Sequence, residues 1–196
     1  MPVTRSVERV GQKYNHRMGY FKSLERFFGK RTPAATGITI ILLQRRMQSF
    51  STERLQAAME SGWRRKHHPV SFFATNLDDE GAVLKLGRMF ITMLFSDRRV
   101  GTDELGAKEL PLWAEHSAHA SLSYRCPGGV PAGKERDKLY ALLGLVAAEL
   151  LDSNVSGLLF VDEQILVPNT PELSANLRSG YPQNPVALGN KLNFAG

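Results

Sequence analysis

The stretch from His116 to Pro168 constrains the fold more than any other part of the chain. It reads HSAHASLSYRC, PGGVPAGKERD, KLYALLGLVAAELLD and SNVSGLLFVDEQILVP in succession. Leu139, Leu142, Leu143, Val146 and Leu150 recur at helical spacing, with Ala147 and Leu151 alongside. Lys134 to Leu151 therefore reads as an amphipathic helix, whose apolar stripe must be buried against a second layer. Strands flank it, His119 to Tyr124 before and Val155 to Val161 after. The first of these is half polar. A central strand of a parallel, doubly wound sheet is apolar on both faces, so this segment fits an antiparallel sheet instead.

The other segments extend that pattern. Gly37 to Leu43 (GITIILL) is a β-branched run of strand length. Ser51 reads as the N-cap of a helix from Thr52 to Trp63, with Leu55, Ala58, Met59 and Trp63 facing inward. Arg54 stands where a capping-box acid would serve better. Val70 to Thr75 reads as a strand and Asn76 to Gly81 as a turn. Val83 to Phe95 reads as one long strand with a bulge at Gly87. On it Met89, Ile91, Met93 and Phe95 share one face, and Phe90, Thr92 and Leu94 the other. Thr102 to Ala114 is partly helical, anchored by Trp113; Gln164 to Val167 continues the last ribbon, and Pro171 to Leu177 is a short helix.

Two strand–helix–strand units thus flank a hairpin. The expected fold is α+β: a mainly antiparallel sheet with helices on one face, in a ferredoxin-like split βαβ arrangement. Three regions are expected: an N-terminal extension over 1–36, the α+β domain over 37–168, and a C-terminal tail over 169–196.

The extension is the basic part of the molecule. It carries eight Lys and Arg against Glu8 and Glu25, and the rest of the chain balances, so the net charge of +6 belongs to it. Within it Tyr20, Leu24, Phe27 and Phe28 form an aromatic helical face, flanked by Arg17, Lys22, Arg26 and Lys30 and closed by Gly29 and Pro33. Such a helix can meet nucleic acid or anionic lipid through those four cations. It can also lay its aromatic face on the sheet face opposite the other helices, in its own subunit or in a two-fold dimer. Cys126 is the only cysteine, which excludes an intrachain disulfide and a thiolate metal cage. No apolar run approaches the roughly 18 residues needed to cross a bilayer. A cytoplasmic setting, with no secretory signal and no transmembrane segment, is the expectation.

Three residue groups have the chemistry of a site. Gly128, Gly133 and Lys134 match the spacing of a phosphate-cradling loop between strand and helix, and Asp162 and Glu163 end an apolar strand as a magnesium-site acid would. Glu135 stands where that loop needs a hydroxyl, and too little chain follows Asp162 for a doubly wound nucleotide fold. The alternative is a plain glycine turn. His116 and His119 have a spacing that binds metal on one helix face, with hydrogen-bonded boundary histidines as the alternative. Cys126 with either histidine would be a nucleophile and base, against an inert buried thiol.

The segment WAEHSAHASLSY (Trp113 to Tyr124), the helix ending AAELLD and the ribbon GLLFVDEQILVP resemble an uncharacterised bacterial family of domains of unknown function. The resemblance covers Ile38 to Pro168 and implies an intracellular α+β fold. It brings no activity with it. No catalytic constellation is complete and no cofactor is expected, so the sequence points to a non-enzymatic binding or protein-interaction domain that meets a protein partner or a second copy of itself. An enzyme or phosphate binder using the Gly128–Lys134 loop, and an anionic-surface binder using the extension, are the alternatives.

Overall fold

The computed structural model describes residues 37–64, 72–78, 81–86, 89–100, 115–125, 132–163, 165–179 and 190–191. Among these described residues eight strands form one sheet: β1 (Gly37–Gln44), β2 (Phe72–Asp78), β3 (Gly81–Leu86), β4 (Met89–Ser96), β5 (Ala118–Arg125), β6 (Val155–Phe160), β7 (Ile165–Pro168) and β8 (Asn190–Lys191). Their order is β2-β3-β4-β5-β1-β6-β7-β8, and every neighbouring pair is antiparallel. Three helices are described: α1 (Thr52–Arg64), α2 (Lys134–Leu150) and α3 (Pro171–Arg178). The class is α+β, as the alternation of patterns indicated. None of the described helices is long and apolar enough to cross a membrane.

One expected element is corrected. Val83 to Phe95 is two strands: Leu86 pairs with Met89, so the chain reverses between these two residues, where the sequence suggests a bulge in one long strand. The apolar run continues on both sides of the reversal because both strands are interior to the sheet. The face assignment survives: Ile91, Met93 and Phe95 belong to the main core, whereas Phe90, Thr92 and Leu94 lie on the other face.

Period two in the strands and 3.6 in the helices meet in one core. Ile38, Ile40 and Leu42 of β1 cluster with Ala120 and Leu122 of β5 and with Leu158 and Phe160 of β6. Leu55, Ala58 and Met59 of α1 close over them, as do Tyr140, Leu143, Val146 and Ala147 of α2 and Leu173 and Leu177 of α3. Each fully buried Leu, Ile or Phe contributes about 1.5–3 kcal/mol relative to exposure. Helix α3 falls in the stretch assigned to the tail, yet its two leucines are core residues. On the opposite face Leu43, Leu159 and Leu166 are also buried, and none of the described helices lies over them. The aromatic helix expected to cover that face, with Arg17, Lys22, Arg26 and Lys30, lies outside the described residues, as does the expected helical stretch at Trp113.

Candidate functional site

Helix α2 opens at Gly133, whose φ of 58° and ψ of −136° suit glycine and few other residues. Its carbonyl accepts the hydrogen bond from Asp137 N–H at 3.1 Å, and no side chain caps the end. Glu135 and Asp137 occupy the first turn and complement the helix dipole there. A phosphate at this end would meet both carboxylates. Lys134 is exposed, Lys138 pairs with Glu135, and Gly128 lies outside the described residues.

Asp162 and Glu163 sit in the β6–β7 turn beside this same helix. The structure therefore brings the two halves of the sequence-level phosphate motif to one end of the sheet. What meets the acids, however, is a pair of residues at i and i+4 on α2 that sequence reasoning missed. Arg136 forms an ion pair with Glu163, and its guanidinium lies 5.7 Å from the centroid of the Tyr140 ring. Tyr140 Oη donates to Asp162 Oδ2 at 2.9 Å, and the Thr39 N–H donates to the same oxygen at 3.1 Å. Thr39 Oγ1 lies 3.0 Å from Ser123 Oγ, and Thr92 Oγ1 donates to the Ser123 carbonyl at 3.4 Å. A polar chain thus runs from α2 across β1 and β5 to β4. The helical spacing of Arg136 and Tyr140 was the one signal that could have found it.

Burial of the Tyr140 ring, and then the neighbouring Asp162 carboxylate, raise the phenol well above its ordinary range. The hydroxyl is a donor in this cluster, not a nucleophile. Because the folded-state pKa exceeds the unfolded value of about 10, the resulting stability is complete below about pH 10 and declines as pH rises beyond it. Tyr140→Phe should flatten that alkaline decline. Urea unfolding measured between about pH 8 and about pH 11 checks this, and identical slopes for both proteins would refute the assignment.

The histidines lie at the opposite end of β5. His116 is buried, and its Nε2 accepts a hydrogen bond from Val100 N–H at 3.2 Å. His119 donates from Nδ1 to the Arg98 carbonyl at 2.7 Å. Both rings tie the chain leaving β4 to the start of β5. Among the described residues no group of three or more His, Cys, Asp or Glu side chains is placed to hold a metal ion. Cys126 lies outside the described residues.

The two sheet edges differ. β8 is two residues long and includes Lys191. β2 is seven residues long, FFATNLD, and pairs on its inner side with β3 in regular register from Phe72 to Asn76, with an irregularity before Asp78. No described strand pairs with its outer side. Those first five residues carry no charge and no proline, the usual guards of a free edge.

Comparison with known protein families, curated proteins and solved structures finds no match. The resemblance read from Ile38 to Pro168 is accordingly carried no further.

Proposed function

We infer that this chain is a protein-interaction domain on a ferredoxin-like core, working through strand addition at a sheet edge. The topology supports the core assignment: β1 and β5, an adjacent antiparallel pair, each begin a strand–helix–strand unit, and the order β2-β3-β4-β5-β1-β6 sets β5 between β1 and β2 and β1 between β5 and β6. The observation that carries the interaction reading is the outer edge of β2, which no described strand joins and which would offer a row of backbone donors and acceptors to an added strand. Around it, the residues with the strongest chemical potential already have partners within the fold. Asp162 and Glu163 hold Tyr140 and Arg136, and His116 and His119 hold backbone groups.

The rival reading, a nucleotide-using enzyme, predicts ligand stabilisation. Adding magnesium and a nucleoside triphosphate at about 1 mM should leave the melting temperature of the full chain within about 1 °C of its starting value. A larger rise that disappears in Lys134→Ala would overturn the interaction reading in favour of the phosphate loop.

A further inference from the structure

We draw no further inference here: the strongest candidate, the sheet face opposite the helices, where Leu43, Leu159 and Leu166 are buried, carries nothing because nothing among the described residues shows what covers it.

Discussion

Phe160→Ala is expected to destabilise the domain by about 3–5 kcal/mol, lowering the melting temperature by roughly 10 °C. Phe160 is fully buried at the end of β6, between Ile40 of β1 and Ile165 of β7. Its ring centroid lies 6.0 Å from that of Tyr140. Truncation removes the apolar area and leaves a cavity that flanking strands, fixed by their ladders, cannot close. The loss also reaches the polar cluster. The Tyr140 ring is held from one side by Phe160, and the direction of its hydroxyl toward Asp162 depends on that contact. Phe160→Ala and Tyr140→Phe should therefore be non-additive by about 0.5 kcal/mol or more in a double-mutant cycle, as directly contacting pairs are. Phe160→Leu, which refills most of the space, should cost much less. Thermal and urea melts measure all three. A melting temperature for Phe160→Ala within about 2 °C of the parent would mean the ring is not a core residue.

The same residues show why the fold was readable before the site was. Binary pattern and punctuation are local signals, and they located α1, α2, α3, β1, β5 and β6. Ser51 was legible as a cap and does accept from Arg54 N–H, at 3.2 Å. Arg54 looked like a misplaced capping-box residue; its guanidinium instead reaches Asp152 Oδ2 at 3.0 Å and covers the Phe50 ring at 4.6 Å. Asp152 lies far along the chain, so no local pattern could name it. The Asn154 side chain likewise joins the β6 start to Arg46 and Gln48. The reversal between Leu86 and Met89 was missed for a different reason. Strands on both sides of a tight turn share one continuous apolar run when both are interior, and a single glycine marks bulge and turn alike.

The candidate site was half legible. The start of α2 and the acids Asp162 and Glu163 lie together, as a strand ending in acids and a helix start can at one end of a sheet, and the residues that meet the acids are Arg136 and Tyr140, which the motif does not name. Chemistry-bearing pairs such as Arg136–Glu163 depend on which helix face turns toward the β6–β7 turn, a tertiary fact. His116 was named in the sequence, as a metal ligand or a hydrogen-bonded boundary histidine, but what it meets was not legible there. Its partner, Val100 N–H, is a backbone group and leaves no residue signature in the sequence.

Gly157→Val is expected to cost more than about 3 kcal/mol, and Gly157→Ala about 1–3 kcal/mol. Gly157 lies on β6, opposite Leu43 on one side and Pro168 on the other. A Cβ at this position would sit 2.7 Å from the Val167 carbonyl oxygen, 3.5 Å from its carbon and 3.6 Å from Pro168 Cα. All three are backbone atoms, so no side-chain rotation relieves the clash and the strands themselves must separate. The cause is next door. Register shifts between Leu43 and Gln44, leaving Ser156 as the extra residue of a bulge. Bulges bend and twist a strand, and here the neighbouring β7 backbone comes close to the following residue. Ser156 is held in that position by Asn169 N–H, which donates to its carbonyl at 3.0 Å, and by its own hydroxyl on the Leu43 carbonyl. The substitution should therefore act locally before it acts globally. Amide exchange should accelerate across Ile165–Val167 in Gly157→Ala, while β3 and β4 keep their protection at low denaturant. The valine variant adds two methyls to the same contact and should not accumulate as folded protein at 37 °C. Parent-like stability in Gly157→Ala, with unchanged exchange in β7, would show that the two strands have room to part and that this glycine is not required.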